Sequence, residues 1–394
     1  MVEEDQETPE RHASWIELFF DLVVVAGVAQ LAHLLSHGPS LGDVGLYLLV
    51  FLAFWISWAS FTVYGNVEGD RVRIPAMLLA MLGLAVMVAA VPGIRDQHTT
   101  AFVVAYVGLR WLAGAIYQRG QVVVDWPLAQ YGGGAVPWLV SVFVTDSARY
   151  WLWTAGILID LLAMMAFSGD NVLREAQRRL DRVLARRRLR RVQPMPILRA
   201  AHTESGHLSE RMGLFVIIVL GEGVIQVLTA TSEADWTLPL DAAAFGAFTV
   251  LTGLWTLSLL YGFCGVPGLE AARISIRHAM ALNCATTAAI AALAAGLGAA
   301  IEHTGEHLPT GTRWLLCASV AAYFMVSAIG GLTAQAPARW LLGWALPCIV
   351  VPIALGFAGH LTAPWLIWAL AATVGWQISY ATVAARQQAA PAAA

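Results

Sequence analysis

Glu17, Asp21, Gln30, His33, Arg110, Asp160, Arg211, Glu222 and Gln226 all fall inside stretches that are otherwise apolar. An ionisable group at the centre of a bilayer costs about 2.5–3.5 kcal/mol on insertion scales, so each one needs a partner or a purpose. Carboxylates, guanidinium groups and an imidazole in such places either pair to lock helices together or relay an ion or a proton. Spacing narrows the pairings. Glu17 and Asp21 are one helical turn apart on the face of Val24 and Val28, whereas Gln30 and His33 point almost oppositely. That helix is therefore expected to expose neither polar face to lipid. In the stretch from His207 to Val227, His207, Arg211 and Glu222 share one sector, with Gln226 just beyond it. Arg211 and Glu222 are about 16 Å apart along the axis and cannot pair with each other.

If both helices start on the same side, Glu17 and Asp21 lie level with Glu210 and Arg211. An Asp21–Arg211 or Glu17–Arg211 ion pair is then expected. Arg110 with Asp160 or Glu222 would form a second cluster near mid-span. Glu17 has a further use, because Ser14-x-x-Glu17 has capping-box spacing.

The elements that must position these groups are membrane helices. The chain has 394 residues, is 58% hydrophobic and 12% charged, and has a mean hydropathy of +0.66. Apolar runs of about 20 residues, enough to cross a hydrocarbon core, recur from end to end. Twelve spans are read, at 15–35, 43–64, 74–92, 100–118, 127–145, 149–168, 208–230, 240–262, 276–300, 312–333, 338–358 and 363–384. Strands alternating polar and apolar residues are absent, so the spans are helices and the fold is an all-α polytopic one, not a barrel. Lysine is absent, and arginine carries every fixed positive charge. With the N-terminus inside, the arginines concentrate in the inner loops, and only Arg95, Arg149 and Arg313 fall outside. Both termini are thus expected to be cytoplasmic, in the inner (plasma) membrane of a cell.

The chain divides into an acidic N-terminus 1–14, six spans over 15–168, a linker over 169–206, six spans over 207–385 and a short tail 386–394. The linker holds ten arginines among apolar residues at helical spacing. It is either a solvated connection or a basic amphipathic helix on the anionic inner leaflet, where Arg186, Arg187, Arg188, Arg190 and Arg191 would meet lipid headgroups. Echoes join the halves: Ala76-Met77 with Ala279-Met280, Ala105-Tyr106 with Ala322-Tyr323, and Trp151-x-Trp153 with Trp365-x-x-Trp368. They point to a duplication into two parallel six-helix repeats. The fifth span carries Gly132, Gly133, Gly134 and Pro137, and the eleventh carries Pro347 and Pro352. Interruptions in corresponding spans mark a hinge or a binding site, against the plain commonness of Gly and Pro in membrane helices. The Ala/Gly-rich stretch 285–300 suits close packing within or between subunits, which leaves a homo-oligomer as one reading.

Several chemistries find no support. Cys264, Cys284, Cys317 and Cys348 lie in apolar runs without CxxC spacing and read as small core residues. Glu204-x-x-His207 has half of a di-iron spacing and lacks the second motif. His303 and His307 sit in an outer loop, where a solvated loop is the plainer reading. No hydrolase, P-loop or dinucleotide motif occurs in a suitable context, and no cofactor is identified. The basic linker lacks the aromatic interleaving of a nucleic-acid surface. The acidic N-terminus lacks the basic start of a cleaved signal.

Trp15-Ile-Glu-Leu-Phe-Phe-Asp21-Leu-Val-Val-Val with Gln30-Leu-Ala-His33 resembles the opening signature of the bacterial low temperature requirement protein A (LtrA) family. His207-Leu-Ser-Glu210-Arg211-Met-Gly-Leu-Phe-Val-Ile-Ile, then Leu220-Gly-Glu222-Gly, is similar to its second signature. Gly223 departs from the small hydroxyl residue usual there. The resemblance implies a polytopic membrane protein linked to growth in the cold and supplies no activity. Phe19-Phe20-Asp21-Leu-Val-Val also resembles the signature heading each repeat of a potassium/proton channel family, with Phe20 in place of Ser. Three readings follow: a transporter or channel for a small ion or proton, lined by the first and seventh helices; a non-transporting scaffold or lipid-interacting protein; and an intramembrane enzyme.

Overall fold

Small polar residues set where the helices begin. In lipid the first amides of a helix find no water, so a capping side chain matters more than in solution. Ser14 donates its backbone N–H to Glu17 Oε2 at 2.8 Å, and Ser40 does the same to Asp43 Oδ2 at 2.8 Å. Thr237 Oγ1 and Ser275 Oγ accept from the backbone amides of Leu240 and His278. The computed structural model describes residues 13–36, 38–120, 122–124, 132–144, 147–166, 178, 199–201, 203–270, 274–336 and 338–389.

In chain order the helices are α1 Trp15–His33, α2 Leu41–Glu68, α3 Ile74–Ala90, α4 Thr99–Gly120, α5 Ala135–Ser141 and α6 Ser147–Ala166. They continue as α7 Ser205–Glu233, α8 Leu238–Trp255, α9 Ile276–Glu302, α10 Thr310–Thr333, α11 Ala338–Phe357 and α12 Ala363–Ala389. Among the described residues, ten helices are long and apolar enough to cross a membrane. Residues 127–131 and 145 of the span expected at 127–145 lie outside the described residues. The part described shows that the Gly132–Gly134 triplet precedes α5 and does not interrupt it. Each glycine would cost about 1 kcal/mol inside a helix, so the helix starts after them.

The eleventh span contains a wide π turn at Leu341–Ala345. Pro347 follows it and has no N–H with which to continue the regular ladder. A second π turn, Thr256–Leu260, closes α8. Short strands complete the inventory. β1, Val122–Val124, pairs in parallel with β2, Arg199–Ala201, tying the end of the linker to the loop after α4. β3, Gly262–Phe263, and β4, Val266–Pro267, form a hairpin between α8 and α9.

In the first half α1 packs on α2 and α3, α3 on α4, α4 on α5, α5 on α6, and α6 on α2. In the second half α7 packs on α8 and α9, α9 on α10, α10 on α11, α11 on α12, and α12 on α8. The halves meet where α1 and α2 touch α7 and α9. The small residues of α9 let α1, α2, α7, α8, α10 and α12 all reach it, so its Ala/Gly surface is used within the chain. Glycine is needed where α5 meets α6. A Cβ at Gly156 would lie 2.5 Å from the Gly134 carbonyl and from the Trp138 ring. Gly156→Leu should therefore lower the thermal unfolding midpoint of the detergent-purified protein, because overpacking there costs about 1–3 kcal/mol of stability. Gly108→Ala, where nothing lies within 4 Å, should leave it unchanged or slightly higher.

Candidate functional site

The seam between α1 and α7 carries two polar groups of residues. At the starts of the two helices, Glu17, Asp21 and Arg211 are completely buried and His207 nearly so. Arg211 Nε donates to Asp21 Oδ2 at 3.0 Å and Nη2 to Asp21 Oδ1 at 2.6 Å, a bidentate fork. Its third nitrogen, Nη1, lies 3.1 Å from Glu17 Oε1, and Nη2 also reaches the Glu17 carbonyl at 3.4 Å. One guanidinium thus holds both carboxylates, and Arg211 pairs with Asp21 and Glu17 together.

Side chains from α2 complete this centre. Trp58 Nε1 donates to Asp21 Oδ1 at 2.7 Å, and its ring stacks on Phe215 of α7 with centroids 4.3 Å apart. Gly65 leaves room for the carboxylate, since a Cβ there would lie 2.6 Å from Glu17 Oε1. Asn66 fixes the imidazole. Its Oδ1 accepts from the Glu204 backbone N–H at 2.8 Å, and its Nδ2 donates to the Glu204 carbonyl at 3.0 Å. That orientation turns the same Nδ2 toward His207 Nδ1, 3.0 Å away. Nδ1 must accept, so the ring proton sits on Nε2, which faces Glu17 Oε2 at 3.5 Å. The centre sets two carboxylates against one guanidinium. Glu210, on the same turn of α7, is half-buried.

About 16 Å further along α7 lies the second group. Glu222 is buried and accepts from Gln226 Nε2 at 2.7 Å. His33, in the last turn of α1, is near enough to act on Glu222 electrostatically. Gln30 is half-buried and His33 exposed. Among the described residues no guanidinium pairs with the Glu222 carboxylate, so a change in its protonation breaks no ion pair there.

A third centre lies inside the first half. Arg110 Nη1 donates to Ser60 Oγ at 2.9 Å, and Nη2 lies 3.5 Å from Asp160 Oδ1. The Gly134 backbone N–H donates to Asp160 Oδ1 at 3.2 Å, and Tyr106 hydroxyl to Oδ2 at 3.5 Å. Arg110 therefore pairs with Asp160, and Glu222 belongs elsewhere. Pro137 and Pro352 lie within α5 and α11 and touch none of these centres through a polar contact. Arg186, Arg187, Arg188, Arg190 and Arg191 lie outside the described residues.

Trp58, Gly65, Asn66, Ser60 and Tyr106 were missed by reading the sequence. Four of the five sit on α2, whose aromatic run reads as ordinary apolar span. The available signal was Gly65-Asn66, a small residue and an amide where an apolar helix turns polar. Removing one partner of a buried ion pair strands the other charge, at about 3–5 kcal/mol. Arg211→Gln strands two carboxylates and should destabilise most. Asp21→Asn leaves Glu17 as counter-charge and should cost clearly less. Thermal unfolding of both variants in one detergent checks that order, and equal tolerance would refute this account of the seam.

A family model described as bacterial low temperature requirement A protein (LtrA) matches residues 12–377. An uncharacterized protein of Rhizobium meliloti (strain 1021) is 26% identical over 242 residues, covering 56% of this chain and 52% of that protein. The match spans about half the length of that curated relative. The signatures at α1 and α7 meet in space at the Glu17–Asp21–Arg211 centre. With the apolar helices around it, this multi-pass membrane protein belongs to the LtrA family.

Proposed function

We propose that the protein moves a small ion or protons across the inner (plasma) membrane, with the polar groups of the α1–α7 seam as its path. The observation that carries this reading is Glu222, a buried carboxylate in mid-helix that pairs with no guanidinium among the described residues, with His33 of α1 within electrostatic range. A carboxylate kept only to lock helices is expected to carry an ion-pair partner, as Asp21 and Asp160 do. The inner centre serves as a strut and gate: Arg211 joins the two helices, and Glu17 with His207 faces the inner side.

The surrounding architecture is read as twelve helices in two parallel six-helix repeats with both termini cytoplasmic. The repeat is supported by packing, since most of the contacts among α1 to α6 have counterparts among α7 to α12, α2–α4 and α9–α12 being the exceptions. It is supported also by matched contacts. Gly27 admits Phe54 of α2 as Gly223 admits Leu251 of α8, and Gln30 and Gln226 each follow three residues later. In this arrangement α1 and α7 are equivalent helices facing each other across the axis between the halves, where parallel repeats hold their path. The arginine-rich linker would face the anionic inner leaflet.

Flux decides the matter. Proteoliposomes loaded with a pH-sensitive dye and tested with sodium, potassium, lithium and chloride gradients should show movement of at least one ion. Glu222→Gln keeps the size of the side chain and breaks no ion pair. It should reduce flux at least tenfold while the unfolding midpoint stays put. Tight vesicles across the panel, or flux unchanged in Glu222→Gln, would overturn the proposal in favour of a structural or lipid-interacting role.

A further inference from the structure

The Arg110 centre of the first half has a counterpart in the second. At one constant offset along the chain, Tyr106, Arg110 and Asp160 become Tyr323, Ser327 and Gln377. These three also converge. Tyr323 hydroxyl lies 2.7 Å from Ser258 Oγ. Ser327 Oγ donates to the Gly265 carbonyl at 2.8 Å, and Gln377 Nε2 donates to the same oxygen at 2.6 Å. A Cβ at Gly265 would come within 2.7 Å of the Tyr323 hydroxyl, so that hydroxyl and the Gly265 backbone share one small space. The placement is conserved between the halves of this chain, while the chemistry has changed. The guanidinium has become a hydroxyl, and the carboxylate an amide.

What remains is a set of neutral oxygens, from Ser258, Tyr323, Ser327, Gly265 and Gln377. Gln377 is completely buried, and its Oε1 accepts no hydrogen bond from any described residue. Its amide lies against Gly265, so Oε1 sits beside the cluster. A buried carbonyl oxygen in that state calls for a ligand or an ordered water. The backbone is bent to present its oxygens here: Cys264 has φ +51° and Gly265 φ +75°. Ser258 lies in the π turn that closes α8, a distortion common at binding sites. A cavity of about 520 Å³ between the first turns of α7, that π turn and the β3–β4 hairpin reaches Ser258. Hard, uncharged oxygens without a carboxylate suit a monovalent alkali cation, whereas calcium and magnesium sites draw on carboxylates.

We infer that this cluster binds a sodium or potassium ion, at the position that the Arg110 guanidinium takes in the other half. A mobile cation there replaces a tethered one. The site stands apart from the α1–α7 seam, and its occupancy requires neither flux nor Glu222.

The test is thermal unfolding of the full-length protein in detergent, titrated with sodium, potassium or choline chloride at constant ionic strength. Sodium or potassium should raise the midpoint saturably, and choline should not. Gln377→Leu should weaken the apparent affinity at least tenfold. Gln377→Glu adds a charge to the cluster and should tighten it by about tenfold, or 1.4 kcal/mol. The double variant Ser327→Arg with Gln377→Asp transplants the Arg110–Asp160 pair and should show no response to either cation. A wild-type midpoint that responds equally to choline, as an ordered water would allow, overturns the inference. So does a double variant that keeps the full cation response. Should Gln377→Leu fail to fold, Gln377→Glu and the double variant decide.

Discussion

Arg211 is the group on which the meeting of the two halves depends. It brings one positive charge into a dry seam and there holds Asp21 through a fork and Glu17 through its remaining nitrogen. Attraction between charges strengthens as the dielectric falls, and so does the penalty for leaving one alone. The arrangement therefore tolerates little rearrangement. Trp58 shares Asp21 Oδ1 with the guanidinium, Ser14 takes up Glu17 Oε2, and Gly65 keeps space for the Glu17 carboxylate. A helix start, a helix end and a third helix are in this way fixed by one cation.

Around that centre the bundle depends on close approach. Lipid tails are as apolar as leucine, so helix association in a membrane relies on packing and hydrogen bonds. The small residues of α9 let six helices reach it, and Gly134 against Gly156 does the same locally between α5 and α6. Aromatic stacking fills what small residues leave, as Trp138 and Trp153 show with centroids 4.6 Å apart and nearly parallel rings. The interruptions then have a clear place. Both π turns lie in the second half, at the end of α8 and near the start of α11, and both pack against α12.

Much of the fold was legible in the order of residues, because a membrane imposes simple rules. Length and apolarity mark spans, and charge within a span marks a partnered or working residue. Asp21 and Arg211 could be matched because both stand one or two turns inside helices with similar starts. The partner of Arg110 could be narrowed to two carboxylates and no further, since depth alone does not say which helices are neighbours. Gly65-Asn66 marks the polar end of α2, but that Asn66 orients His207 through the Glu204 backbone could be read only from the fold. Its role depends on a contact between residues that sequence places in different halves.

By itself the sequence determined the all-α membrane class, the family signatures and the list of costly groups, because each follows from local composition and spacing. Only the tertiary structure decided which charges meet. It put two carboxylates on Arg211, gave Asp160 to Arg110, left Glu222 with an amide and a nearby imidazole, and gathered neutral oxygens around Gln377. The physical reason is that a buried charge is satisfied in three dimensions, by whichever side chain the packing of apolar helices brings within about 3 Å.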